Sequence, residues 1–373
     1  MYQIKLPKWP EVERYFKDPE LLTAEILFLL FTLCNVFVVY RLFLDVIPFP
    51  VFVTWWQLLQ GIIMAWIMGD LGREFPKLSY FPQVHIMRGL LRELLVPTLV
   101  YCTMLVLANV LLSKTPTPAT FPVVVSFTVV LHHVARFVGC GEEYMGLRWQ
   151  SMLCLFAAFL IGSTDPKTVG VQLLPWALTY AAAAALFRAG YLQRVMHIVE
   201  GRGNALHNHQ HIIGIVILPV VWILLGEWKA LTAMPYNISS LYTWQMWGCL
   251  VSAGALPFMK NIISNRLIRR TGQAPWRFLE IVSIFLVFFI GLSFGSPGWQ
   301  GWISISLVLF GRSLGALDAV RNTEESTSLA PSSKISKPLN SSPEIQPTGT
   351  TALLSSYDEQ PLAYNNVEEF EEA

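Results

Sequence analysis

An all-α membrane protein of ten transmembrane helices, arranged as two inverted five-helix repeats with a disordered C-terminal tail, is the fold class the sequence predicts. Three observations predict it. Of 373 residues, 54% are hydrophobic and only 14% charged, against about 25% charged in an ordinary soluble protein. The apolar residues fall in long blocks rather than at amphipathic spacing, which suits a bilayer. A shift of 153 positions also lays the sequence onto itself at two separate places.

The elements follow in chain order. The cytosolic N-terminal segment 1–21 is polar and mixed in charge. It lacks the short apolar core and cleavage site of a signal peptide, so the first span is expected to stay as a signal anchor. A span needs roughly 20 apolar residues to cross about 30 Å of hydrocarbon. Ten stretches qualify: 22–44, 47–69, 94–113, 116–138, 148–164, 172–196, 210–226, 241–263, 276–295 and 298–318. Each is expected to be helical, because the bilayer core offers backbone amides no water to bond.

Loop charges set the orientation. With the N-terminus inside, cytosolic segments before the last span hold fifteen Lys and Arg residues, and the opposite loops hold Lys114, Lys167 and Lys229. Both termini are therefore expected in the cytosol. The sequon at Asn237 falls in the longest lumenal loop, where glycosylation occurs; the one at Asn340 falls in the cytosolic tail and stays bare.

The 153-residue shift places Gln57 on Gln210 and Gly61 on Gly214, at the starts of spans two and seven. It also places Trp149 on Trp302, Ser151 on Ser304 and Gly162 on Gly315, in spans five and ten. Five spans is an odd number, so repeat two (172–318) enters the membrane from the side opposite to repeat one (22–164). Inverted halves suit alternating access to one central site. After Asp318 the tail 319–373 turns to Ser, Pro, Thr and Glu and has too little apolar content to form a core.

Composition excludes several function classes. A net charge of +1 gives no footprint for nucleic acid. Four of the five cysteines (Cys34, Cys102, Cys154 and Cys249) lie in apolar blocks, so buried thiols replace a disulfide framework. No nucleophile elbow, zinc-protease motif or P-loop occurs, so the chain is expected to be no enzyme, with no cofactor and no metal.

What remains is polar chemistry inside the spans. Ionisable groups in lipid are functional hypotheses by default; here they are Glu25, Arg41, Arg136, Arg188, Lys260, Glu280 and Arg312, with His132 and His133. Snorkelling toward the headgroups is the competing reading for Arg136, Lys260 and Arg312. Arg188 lies deeper, on an Ala-rich helix, and a cationic cavity there would suit a phosphate. The stretch "ALHNHQHIIG" at 205–214 holds three histidines two apart. On a helix, His207 and His211 share a face and His209 points away. No Cys or carboxylate lies in the stretch, so a metal is not expected there, and an interfacial cap and a ligand-reading edge stay open.

The chain resembles the nucleotide-sugar transporters of the drug/metabolite transporter superfamily, nearest to the GDP-fucose and GDP-mannose branch. The features are "FPVFVTWWQLLQGI" opening span two, "YLQR" at 191–194, and "ILPVVWILLGEWKAL" in span seven, with similarity over about 20–318. By that resemblance, Asn208, His209, Gln210 and His211 lie where relatives read the nucleotide base, and Tyr191 and Arg194 help hold the nucleotide. By internal symmetry Gln57 mirrors Gln210. The family's Lys at the start of span nine is missing from "RTGQAPWRFLEI", where Arg277 or Lys260 would stand in.

The expected activity is a Golgi, or alternatively endoplasmic reticulum, antiporter. It would move a nucleotide-sugar, with a GDP-sugar favoured, into the lumen in exchange for a nucleoside monophosphate. Membrane lipid and a second copy of the chain are candidate partners. Two rival readings are a carrier of another phosphorylated or organic anion, and a transport-inactive scaffold or trafficking protein.

Overall fold

The computed structural model describes residues 18–45, 47–75, 84, 86–141, 146–199, 203–229, 244–271 and 273–329. Among these residues helix is the only regular structure. Ten long helices order the chain: α1 Pro19–Asp45, α2 Pro50–Glu74, α3 Leu95–Lys114, α4 Phe121–Cys140, α5 Leu147–Thr164, α6 Gly170–Ala185, α7 Gly203–Leu224, α8 Trp244–Thr271, α9 Gln273–Gly291 and α10 Trp299–Leu329. A π-helical turn, Leu186–Tyr191, and a short helix, Leu192–Ile198, prolong α6.

Among the described residues eight helices are long and apolar enough to cross a membrane: α1 to α7 and α9. The other two, α8 and α10, have 28 and 31 residues but fall outside those eight. Helix α10 also runs on to Leu329, past the expected end of the last span at 318. The sequon at Asn237 and most of the tail lie outside the described residues.

Local chemistry sets the helix ends. Pro50 opens α2 and Pro122 lies in the first turn of α4, where the missing N–H removes no helical bond. Gly141, at φ +67°, ends α4 in the left-handed region that L-residues avoid. Apolar side chains fill two settings. Leu155, Ala158, Phe159, Ala177, Ala181, Val123 and Val308 form the largest core, between α4, α5, α6 and α10. Val138, Val171, Val216 and Leu224 are instead 70% exposed or more, as a lipid-facing surface requires.

Helix pairing is ordered around two crossings, α2 on α7 and α5 on α10; α1 packs on α8, and α6 on α3 and α4. At the first crossing His211 lies over Gly61, and Leu58 lies over Gly214. A Cβ at Gly61 would fall 2.4 Å from His211 Cε1, and one at Gly214 would fall 2.5 Å from Leu58 Cδ1. At the second crossing Ser151 Oγ donates to Gly311 O at 2.7 Å, and Ser304 Oγ donates to Ala158 O at 2.6 Å. In each case the second contact is the first with both residues moved by 153 positions. Asp165 and Asp318 are 153 apart as well, and each bonds the start of the opposing helix. Asp165 accepts the Gly298 N–H at 2.9 Å, and Asp318 accepts from Arg148.

Candidate functional site

Polar side chains inside the helix bundle form two neighbouring groups. The first lies where α2 meets α3 and α7 meets α8. Asn109 Nδ2 donates to Thr54 Oγ1 (2.8 Å) and Gln57 Oε1 (3.0 Å). Across the crossing, Asn261 Nδ2 donates to His207 Nε2 at 3.0 Å. Thr54 and His207 are themselves 153 apart, so an asparagine on the third helix of each half holds the same position on the second.

The three histidines then separate as the 100° helical step requires. His207 and His211 share a face, with ring centroids 4.1 Å apart. His209 lies elsewhere and is fully engaged. Its Nε2 accepts the Met87 N–H at 3.0 Å, and its Nδ1 bonds Ala205 O at 2.7 Å. It thus ties the start of α7 to the segment preceding α3. Asn208 and Gln210 are buried, and Gln210 Nε2 has no hydrogen-bond partner. A buried amide donor left without an acceptor costs about 1–3 kcal/mol. No group of three or more metal-binding side chains occurs among the described residues.

The second group is cationic. Arg312 on α10 donates through Nε to Ser126 Oγ of α4 (3.4 Å) and approaches Glu280 Oε2 of α9 at 3.9 Å. Arg277 donates to Gly315 O at 3.2 Å. Arg312 lies within electrostatic range of Arg188, Arg277, Glu280 and Tyr180, and Lys260 within range of Glu280. Arg312 and Lys260 therefore share Glu280, and Arg188 and Arg277 add positive charge beside Arg312. Arg188 sits on the π-helical turn, whose irregular backbone often marks a functional position, and its charge is felt by Tyr180 as well as Arg312. Arg188 itself is exposed. Arg312 is turned inward: its side chain is only 19% exposed, which a snorkelling arginine would not be.

Tyr101 joins the two groups. Its ring touches Phe187, the neighbour of Arg188, at 5.4 Å, and His207 at 6.3 Å. Asn261 and Lys260 are consecutive, so the amide that holds His207 adjoins a member of the cationic group. Tyr191 packs instead in the apolar cluster of Leu94, Val195 and Val199, and Arg194 is exposed; neither meets the cationic group among the described contacts. Sequence reasoning left Glu280 and Arg312 without a role and did not single out Asn109, Asn261, Tyr101 or Ser126. For Asn109 and Asn261 the available signal was an amide in the middle of an apolar block.

The lumenal ends of α2 and α7, in the expected orientation, are tied together. Phe52, Trp55, Trp56 and Trp222 form one ring cluster, extended by Trp228. Glu227, beyond the end of α7, accepts the N–H groups of Val51 (3.3 Å) and Phe52 (3.2 Å) at the start of α2. Burial raises its pKa above the usual carboxyl value, and those two hydrogen bonds pull it partly back.

No family model matches the chain. Two curated proteins are similar to it. One is GDP-fucose transporter 1 of Dictyostelium discoideum, 21% identical over 223 residues, covering 60% of this chain and 59% of the relative. The other is GDP-fucose transporter 1 of Nematostella vectensis, 24% identical over 202 residues, covering 53% of this chain and 58% of the relative. The chain thus spans less than two thirds of the length of these curated relatives.

Proposed function

We propose, from the premise that the chain is related to the nucleotide-sugar transporters, that it carries a nucleotide-sugar across the membrane in exchange for a nucleoside monophosphate. The observation that carries this reading is the group of Arg312 and Lys260 about Glu280, with Arg188 and Arg277 within electrostatic range of Arg312, in a bundle whose helices are long and apolar enough to cross a membrane. An excess of cations within membrane-spanning helices is costly unless an anion joins it. A diphosphate supplies that anion, and guanidinium forks match its oxygens.

The base end belongs to the neighbouring polar group. Gln210 offers a buried donor without a partner, and Gln57, Asn208, His207 and His211 add hydrogen-bonding edges on the same two helices. GDP is favoured over other nucleotides by the similarity to GDP-fucose transporters. His209 contributes by fixing the start of α7, and Arg194 by meeting the nucleotide at the cytosolic mouth.

The reciprocal contacts at both crossings support ten spans in two inverted halves, with α8 and α10 as spans equivalent to α3 and α5. Two like halves exchange conformations about a central site, which opens it to either side in turn. The substrate drives that exchange only by binding the occluded state better than the open ones. Loop charge supports cytosolic termini, and the proposed activity suits the Golgi membrane, with the endoplasmic reticulum membrane as the alternative.

Thermal melting of the purified protein tests the ligand class, since a ligand that binds the folded state raises its melting point. GDP-fucose, GDP-mannose and GMP are expected to raise it, the diphosphates most, and guanosine to have little effect. Equal shifts by guanosine and GDP-fucose would remove phosphate from the recognition.

A further inference from the structure

The 153-residue shift carries more of α2 onto α7 than its centre. "GREF" at 72–75 falls on "LGEW" at 225–228, so Glu74 corresponds to Glu227 and Phe75 to Trp228. Contacts at the middle of the α2–α7 crossing occur twice, once in each direction. The contact at the lumenal end occurs once. Glu227 accepts the Val51 and Phe52 N–H groups, and its image would be Glu74 accepting the N–H groups of Asn204 and Ala205 at the start of α7. Here Glu74 is exposed, and no hydrogen bond joins it to either residue among the described contacts. The rings that cover the lumenal end have small images at the other: Phe52 falls on Ala205 and Trp222 on Gly69. The carboxylate contact is made at the lumenal end, and its image at the cytosolic end is not made among the described contacts.

We infer that Glu74 is the cytosolic gate residue, which closes on the N-terminus of α7 when Glu227 releases the N-terminus of α2. The inference rests on the carrier reading above and adds to it a residue and an acceptor site. The physical basis is the same at both ends. The first N–H groups of a helix lack intrahelical partners, and a carboxylate there is favoured by the helix dipole. Two equivalent latches that cannot close together give a bistable element, and ligand binding biases it.

Amide exchange of the full-length protein in lipid nanodiscs, read by mass spectrometry, tests this with GDP-fucose and GMP as probes. In the free protein the amides of 51–53 are expected to be protected and those of 204–206 to exchange. Glu227→Ala is expected to expose 51–53 and to slow exchange at 204–206 by about fivefold, the scale of one lost or gained helix cap. Glu227→Ala combined with Glu74→Ala should cancel that gain, and Glu74→Ala alone should leave 51–53 protected. Glu227→Gln, which keeps one acceptor, gives an intermediate result if the alanine variant folds poorly. Suppose the probes change the two ends of the unmodified protein in opposite senses, yet 204–206 gains nothing in Glu227→Ala: Glu74 is then no latch, and the carrier reading stands. If neither probe moves the two ends in opposite senses, the carrier reading fails and the latch with it.

Discussion

Arg312→Ala is expected to weaken GDP-fucose binding by about ten- to a hundredfold while leaving guanosine binding within about twofold. A hydrogen bond to a charged group contributes about 1.5–3 kcal/mol, and each 1.4 kcal/mol is a factor of about ten. Arg312 is the centre of the cationic group. It is held by Ser126 and Glu280 and lies within reach of Arg188 and Arg277. Removing it lowers the positive charge facing a diphosphate but leaves the base-reading side chains in place. Arg312→Lys keeps the charge and loses the fork, so its loss should be smaller. The melting point without ligand serves as the control for folding. Equal loss of both ligands would make Arg312 a structural residue.

The second large effect is steric. Gly61→Ala would place its Cβ 2.4 Å from His211 Cε1, and that ring is backed by His207 at 4.1 Å. Gly214→Ala would place its Cβ 2.5 Å from Leu58 Cδ1 and 3.0 Å from Cys102 Sγ. Overpacking of this kind costs about 1–3 kcal/mol, so each variant should melt several degrees below the unmodified protein. Contacting residues couple, and a double-mutant cycle measures by how much. The cost of Gly61→Ala should shrink when His211→Ala is present, and that of Gly214→Ala when Leu58→Ala is present. The crossed combinations should be additive. Coupling in the crossed pairs, or in none, would contradict the reciprocal crossing.

These two results probe different depths of the sequence. Helix positions were legible from apolar block length, since each of the ten expected stretches overlaps one long helix. The separation of His207 and His211 from His209 followed from the helical period alone. Gly61 and Gly214 were legible as repeated residues, but not as two sides of one crossing. The side chains they receive, His211 and Leu58, share no chemistry, so no matching residue announced the contact. Arg312 was ambiguous for another reason. An arginine two turns from the cytosolic face suits both headgroups and a chamber, and only Ser126 and Glu280, on other helices, decide between them. Glu227 was hidden by its distance from Val51 and Phe52 along the chain.

The central claim is exchange of a nucleotide-sugar through a chamber shared by two like halves. Counterflow in proteoliposomes measures it most directly. Vesicles preloaded with GMP are expected to take up labelled GDP-fucose several times faster than empty ones, and vesicles holding Arg312→Ala protein should approach the rate of protein-free lipid. Uptake that is the same with and without internal GMP, and no faster than in protein-free vesicles, would contradict the account.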